Sequence, residues 1–393
     1  MPAPSVDVII AARNEARMIG AALQALRDQD YTGPLQVVVV DDGSGDDTAA
    51  IARGRGVRVV SSARSGAAAA RNAGLRSGDG EVVAFLDAHS IAAPDWVRRM
   101  VEPLHDARVG GVQSHIDNRS LDARVQRYLD RSGALTNERV LDDSLRGARN
   151  LYPWIPTCNC LYRRAAVEEV GGFNEAMFAC EDVELAWRVV LRGFHLAYAP
   201  AAQLTHYDGS PWRHFVRKGF RYGRGAAQLA RRYRPHGTRS GPPADSLWQR
   251  APEAVLASVH YRAGFRWQQL RQQLGLAPPL DPEPLRPVRD DFRPWIAWAT
   301  GEDLRISPDA VYWFRDASPA TVVVHPASRS RFVLDGTADF IWRGLSAERP
   351  RAALVEAIVA AYGVAPVTAG ADLDELLDEL AGAALLERRR TGA

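Results

Sequence analysis

The sequence predicts an α/β fold, a largely parallel sheet covered by helices, followed by a separate and smaller α+β module. Three observations carry that expectation. From Val6 to about Pro200, short β-branched runs alternate with helical stretches, the signature of parallel βαβ units. Between about Pro235 and Pro294, prolines and glycines punctuate the chain around one amphipathic stretch, Glu253–Leu274. From about Asp303, short strand-like runs precede a series of helical patterns. The expected divisions are therefore 1–234 for the α/β domain, 235–302 for a connector with a helix in it, and 303–393 for the module. Two or three domains also suit a chain of 393 residues.

Each element follows from its residues. Val6–Ala11, Leu35–Val40, Val57–Ser61 and Val82–Leu86 are rich in valine and isoleucine and read as strands. Ala16–Asp28 and Asp46–Gly54 read as the helices between them, the second opened by polar residues suited to an N-cap. In the module the expected strands are Tyr312–Phe314, Thr321–Val324 and Arg331–Leu334. Its expected helices are Ala338–Leu345, Arg351–Tyr362 and Ala371–Ala381, with a terminal apolar and basic piece, Ala384–Arg390. Sheets of the first kind bind ligands at the carboxyl ends of their strands. The chemistry is expected just after Ala11, Val40 and Leu86.

Composition narrows the class. Hydrophobic residues at 46% and charged residues at 24% describe an ordinary globular protein, not a disordered chain. A net charge of +2 gives no reason to expect nucleic acid as a partner. Lys218 is the only lysine, so the positive charge is almost all arginine, first of all a coding bias. Cys158, Cys160 and Cys180 are too few and too clustered for a disulfide framework, which points to a reducing, cytoplasmic compartment. The Cys-x-Cys spacing suits packing better than zinc, since no second cysteine pair follows. No cleavable secretion signal is expected, and no segment approaches the roughly 20 apolar residues needed to span a bilayer.

The second strand runs into VVVVDDGSGDDT, which puts Asp41 and Asp42 at a strand's carboxyl end before a Gly/Ser turn. Carboxylates there accept hydrogen bonds from a base or a ribose, although N-capping aspartates in a turn would look the same. The next strand ends in EVVAFLDAHS, so Asp87 and His89 leave a buried strand two residues apart. A carboxylate and an imidazole so placed suit a divalent metal and leave positions open for a diphosphate.

The motifs VIIAARNEA, VVVVDDGSGDDT, ARNAGL, FLDAHS, VGGFNEAMFACEDVELAWRVVLRGF and LTHYDGSPWRHFVRKGFRYGRG occur in the order found in glycosyltransferase family 2. Over roughly residues 4 to 230 the chain thus resembles that family. The resemblance implies a GT-A, Rossmann-like nucleotide-sugar transferase domain, an activated sugar donor and inversion at the anomeric carbon. It implies that Asp41 meets the base, that Arg13, Glu15, Asp42 and Asp87 line the donor side, and that Asp87 and His89 hold a metal. Most members carry a second aspartate where this chain has His89. Enzymes that attach N-acetylgalactosamine to polypeptides use a similar Asp-x-His with a further histidine, which makes His206 of LTHYD the third ligand, or else a structural histidine near a strand end. Mixed oxygen and nitrogen ligands favour Mn2+, with Mg2+ the alternative.

On the acceptor side Glu181 and Asp182 begin a helix with an apolar face of Val183, Trp187, Val190 and Leu191. Inverting transfer needs one general base, and by resemblance it is Asp182, supported by Glu181. Trp154 and Trp187 are expected in the acceptor wall, with a core role for Trp154 equally open. The segment from Trp212 to Arg234 holds seven arginines and Lys218 but no acid. This reads as a solvated basic face, as a phosphate site with Arg221 and Arg224 foremost, or as a peripheral membrane contact through residues 213–234.

The stretches SPDAVYWFRD, TVVVHPASRSRFVLDGTADFIWRGL, RAALVEAIVAAYGV and ADLDELLDELAGAALLE make the C-terminal module similar to the PqqD-like family of peptide-binding domains. That resemblance implies a small winged-helix-like α+β fold and a ribosomally synthesised precursor peptide as partner, held by strand addition. A structural or dimerising domain is the alternative. The expected function is sugar transfer to such a peptide. The alternatives are an envelope-glycan or lipid acceptor, or a peptide-binding scaffold whose transferase domain has decayed.

Overall fold

The computed structural model describes residues 2–132, 152–236, 252–276, 281–299, 302–315 and 320–391. Parts of the expected connector, 237–251 and 277–280, lie outside the described residues. The chain forms two compact units that divide near Pro282.

The first unit is built on an eight-stranded sheet of order β3-β2-β1-β4-β7-β6-β8-β5. Strands β1 (Val6–Ala12), β2 (Leu35–Asp41), β3 (Arg58–Ser61) and β4 (Val82–Asp87) are parallel to one another. β1 and β4 are buried along nearly their whole length, which explains their near-continuous apolar runs. The other half of the sheet departs from the expected parallel pattern. β7 (Asn159–Arg163) runs antiparallel to both β4 and β6 (Val109–Ser120). β8 (His195–Asp208) is parallel to β6, and short β5 (Ser90–Ala92) is antiparallel to β8. No periodicity distinguishes these directions, because β7 is buried on both faces like the parallel strands β1 and β4.

Helices α1 (Ile19–Arg27), α2 (Thr48–Gly54), α3 (Ala67–Leu75), α4 (Trp96–Val101) and α5 (Ala123–Ser132) follow in chain order. Val8, Ile10, Val39, Ala84, Leu86, Leu23 and Trp96 belong to the main core. A Cβ on Gly74 would collide with Ile9, so glycine at that position lets α3 lie close to β1. Asp7 of β1 is buried, yet it is paired with Arg164 at 2.6 Å and accepts the Gly80 amide at 2.9 Å. Helices α6 (Arg164–Glu169), α7 (Glu181–Leu191), α8 (Trp212–Arg232) and α9 (Pro252–Gln273) complete the unit, and α9 packs along α8.

The second unit has two three-stranded sheets. One has the order β14-β10-β9, from Leu386–Arg390, Glu302–Ile306 and Ile296–Ala299. The terminal basic piece is thus an added strand, with Arg389 paired to Asp303 at 2.8 Å. The other sheet joins β11 (Val311–Arg315), β12 (Ala320–His325) and β13 (Ser330–Asp335) in that order. β12 is fully buried, whereas β13 is an edge paired with β12 alone among the described residues, and its Val333 is 53% exposed. Helices α10 (Gly336–Ser346), α11 (Arg351–Tyr362) and α12 (Pro366–Gly382) close over a core of Tyr312, Trp342, Leu354, Leu373 and Leu377. No single helix among the described residues is long and apolar enough to cross a membrane.

Candidate active site

The carboxyl ends of β1, β2 and β4 converge, as the parallel pattern requires. Two of the loops there are tied to each other. The Asn14 amide donates to Ser44 Oγ at 3.0 Å, Gly45 donates to Asn14 Oδ1 at 2.8 Å, and the Glu15 amide donates to Thr48 Oγ1 at 2.8 Å. Asn14 adopts φ +57°, a left-handed conformation that asparagine tolerates better than most residues. Arg13 is exposed in this turn. Asp42 is buried and accepts the Ser65 and Gly66 amides at 2.8 and 3.1 Å, so it also shapes the entry to α3. Asp41 is only partly buried, with its Oδ1 3.4 Å from the Ser44 amide.

Asp87 ends β4, His89 precedes β5, and Ser90 of β5 is paired with His206 of β8. The His89 carbonyl accepts the Tyr207 amide at 3.1 Å. This antiparallel pairing brings His206 onto the Asp-x-His turn. Nε2 of His89 and Nε2 of His206 each lie 3.7 Å from Asp87 Oδ2, and the two rings are 4.9 Å apart. One ligand atom from each residue falls within 4.8 Å of the other two, the single such group of metal-binding type among the described residues. One carboxylate oxygen and two imidazole nitrogens on a partly open face fit a divalent transition ion with positions left for other ligands. Glu15 stands behind the group, its Oε1 3.2 Å from His89 Nδ1, which leaves Nε2 turned toward Asp87.

Charge balance follows the geometry. Burial works against ionising Asp87, but the imidazoles of His206 and His89 and the guanidinium of Arg71 hold its carboxyl well below the usual range. Burial likewise opposes protonation of His89, yet the Glu15 hydrogen bond and the Asp87 charge raise its pKa. Lys218, held by Asp208 at 2.9 Å, acts on His89 in the opposite sense.

Arg71, which has no role among the residues expected from the sequence, links the two halves of the site. Its side chain is 10% exposed and reaches Glu181 Oε1 at 2.7 Å and Asp87 Oδ1 at 3.7 Å. The neighbouring Asn72 fixes the approach to α7 by donating to the Phe173 carbonyl and accepting its amide, both at 2.8 Å. The signal for both lay in the ARNAGL motif, where an arginine and an asparagine interrupt the small, buried face of α3. Asp182 sits beside Glu181 at the start of α7, and Cys158, Cys160, Cys180 and Tyr222 all feel its charge. Burial, with the like charge of Glu181, pushes the Asp182 carboxyl up to about 7 against the counter-pull of Arg71. A carboxyl poised there can take a proton near neutral pH.

Two expectations fare differently. Trp187 is 1% exposed and packs edge-on against Tyr152 and Tyr233, so it is a core residue with no surface for an acceptor. Its helix turns the apolar face inward, and with it the indole. Trp154 remains partly exposed. Arg221 and Arg224 lie over the Phe178 ring at 5.5 and 3.8 Å, and Arg224 Nε bonds Gln268 at 3.2 Å. All three cysteines are free thiols, raised by burial.

Comparison with known proteins assigns families to both parts of the chain. Residues 7–171 match the model of Glycosyl transferase family 2, and residues 320–386 match that of Coenzyme PQQ synthesis protein D (PqqD). The chain is 30% identical over 237 residues to Glycosyltransferase AglE of Haloferax volcanii, covering 58% of this chain and 74% of that one. It is 29% identical over 242 residues to the Pre-mycofactocin glycosyltransferase of Mycobacterium tuberculosis, covering 58% of this chain. In that case the match spans about half of the relative, 48% of its length. Among solved structures, the Mannosyltransferase PcManGT from Pyrobaculum calidifontis, in complex with GDP-Man and Mn2+, aligns at 24% identity and a TM-score of 0.46, covering 70% of this chain and 78% of that one.

Proposed function

Since the chain belongs to glycosyltransferase family 2 and ends in a PqqD domain, we propose that it transfers a sugar, with inversion, from a nucleotide diphosphate to a hydroxyl of a ribosomally made precursor peptide. The observation that carries the catalytic half is the continuous path Glu15, His89, Asp87, Arg71, Glu181 and Asp182, which joins a metal-type ligand set to a carboxyl poised near 7. The peptide half rests on the open β13 edge of the PqqD domain. An extended leader adds to such an edge through main-chain hydrogen bonds.

Asp87, His89 and His206 would hold the ion, Mn2+ by preference and Mg2+ as the alternative. When bound, it supplies Lewis-acid charge to the departing diphosphate. Glu15 keeps His89 in the tautomer that presents Nε2. Asp41 receives the base or ribose of the donor, and Arg13 and Asp42 border the same turn. Asp182 takes the acceptor proton as the acceptor oxygen bonds the anomeric carbon and the bond to the diphosphate breaks on the opposite face. Arg71 holds Glu181 so that the negative charge of Asp182 is opposed by one counter-charge, not quenched. The presence of the whole set favours an enzyme over a decayed scaffold. A cytoplasmic setting suits the free thiols and a precursor-peptide acceptor.

The experiment is turnover of a panel of uridine and guanosine diphosphate sugars with and without Mn2+, chosen first by thermal shift. Turnover confined to the metal-loaded protein supports the reading. Full turnover in chelator, with metal content shown to be absent, refutes the metal assignment. In Asp182→Asn, donor binding should persist while transfer falls on the order of a hundredfold. Unchanged transfer would move the base elsewhere, Glu181 first.

A further inference from the structure

The proposed reaction makes no use of the outward face of α9. Its inner face is set by close backbone contact with α8: a Cβ on Gly264 would strike the Phe220 carbonyl and one on Gly223 the Tyr261 carbonyl. Gln268 and Gln272 are buried on that same side. At 100° per residue the opposite side carries Val259, Ala263, Leu270 and Leu274, with Trp267 at its margin. All five are exposed, beside the exposed polar residues Arg266, Gln269 and Gln273. Val259 and Trp267 are 48% exposed, Leu270 44% and Leu274 61%, and Leu276 just beyond the helix is 62% exposed. A surface helix of a globular protein normally keeps its large apolar side chains off the water side, so four of them exposed along one helix form an unusual stripe.

Charge selects the occupant. Arg262 and Arg266 border the apolar stripe on one side and Arg271 on the other, and no acid occurs from Ala254 to Leu280. The adjoining α8 is acid-free as well, and Arg213, Arg217 and Arg221 are exposed on it. A two-fold contact with a second copy would set these arginines against one another with no acid in the face to answer them. An anionic lipid layer answers both features. Apolar side chains enter the acyl boundary, tryptophan rests at headgroup depth, and arginine stems lie along the apolar surface with their heads on phosphate.

We propose that the outward face of α9 docks the protein peripherally on an anionic phospholipid surface, with the arginines of α8 adding long-range attraction. Beside a solvated face and a phosphate site, one of the three sequence readings of residues 213–234 is a membrane contact. The structure adds its apolar half, on the next helix.

Flotation of the full-length protein with phosphatidylcholine vesicles, with and without phosphatidylglycerol, tests this directly. Binding should require phosphatidylglycerol, weaken with salt, and fall about tenfold or more in Arg262→Glu/Arg266→Glu. Leu270→Asp/Leu274→Asp should lose binding to the same degree while keeping its melting temperature and donor hydrolysis, since both side chains are exposed and neither lies in the active site. Quenching by brominated lipid that disappears in Trp267→Phe would place the face in the bilayer. Absence of binding, or equal binding to neutral vesicles, overturns the proposal. So does a dimer in sedimentation velocity that Leu270→Asp/Leu274→Asp dissolves, because the face is then a contact between copies.

Discussion

If Asp182 is the base, its displaced ionisation should govern the acid side of the pH profile. Burial and the like charge of Glu181 push its carboxyl up to about 7. A base must be ionised, so its active fraction at that pKa rises from about 9% at pH 6 to about 91% at pH 8, roughly a tenfold gain in kcat/KM. A carboxylate with an ordinary pKa near 3.9 would give a flat profile over that range. Glu181→Gln removes the like charge and leaves the positive charge of Arg71 uncompensated on that side. Both effects lower the Asp182 pKa, so the limb should move to more acid pH by about one unit or more. The same displacement has a stability consequence. The folded state holds a proton that the unfolded state has released between about pH 4 and 7, so stability falls as pH rises through that window. Asp182→Asn should abolish that loss, read as a flatter dependence of Tm on pH. The assay is initial-rate transfer at saturating Mn2+ from pH 5.5 to 9, alongside thermal melts. A flat profile between pH 6 and 8, or a limb that Glu181→Gln leaves in place, would refute Asp182 as the titrating base.

Glu15→Ala should weaken Mn2+ binding, measured by electron paramagnetic resonance, by about 10- to 100-fold, the usual cost of losing a carboxylate behind a histidine ligand. In a His89→Asp background it should cost little, because no ring remains to orient; an equal loss in both backgrounds would contradict the positioning role. His89→Asp alone should retain metal-dependent activity, whereas His89→Ala should lose most of it, as followed by donor turnover. Arg71→Ala should lower transfer and move the acid limb of the remaining activity to higher pH, since the group that opposes the raised Asp182 pKa is gone; a limb moved the other way would exclude that coupling.

What was legible in the sequence was what neighbouring residues encode. Valine runs marked the first four strands, and Asp87 and His89 declared themselves by spacing on one of them. His206 lies more than a hundred residues further on, and only the pairing of β5 with β8 makes it a neighbour of His89, so it was reachable through resemblance alone. Arg71 was passed over because arginine is so common in this chain that one more carried no signal until its two carboxylate partners were seen. Trp187 was misplaced because one apolar helix face serves a core and a cleft wall equally well in sequence. The exposed stripe of α9 is hidden for a related reason: that helix mixes apolar and polar residues on both sides, and only its contacts with α8 show which side faces outward. The residues of β14, LERRR, are mostly charged and carry no strand pattern of their own, so it becomes a strand only by pairing with β10.

The central claim is that one chain both captures a precursor peptide and glycosylates it. Its most direct test is mass-spectrometric transfer from the preferred nucleotide-sugar to full precursor, at low peptide concentration, by the wild type and by Val333→Asp on the open β13 edge. Free leader peptide is the competitor in a parallel series. If a leader is captured at that edge, the core peptide's hydroxyl meets the catalytic unit at raised effective concentration. Transfer should therefore fall steeply in Val333→Asp and under excess leader, while metal-dependent donor hydrolysis stays intact. Equal transfer by both proteins, unaffected by leader, would contradict recruitment by the C-terminal domain and return an envelope glycan or lipid to the front as the acceptor.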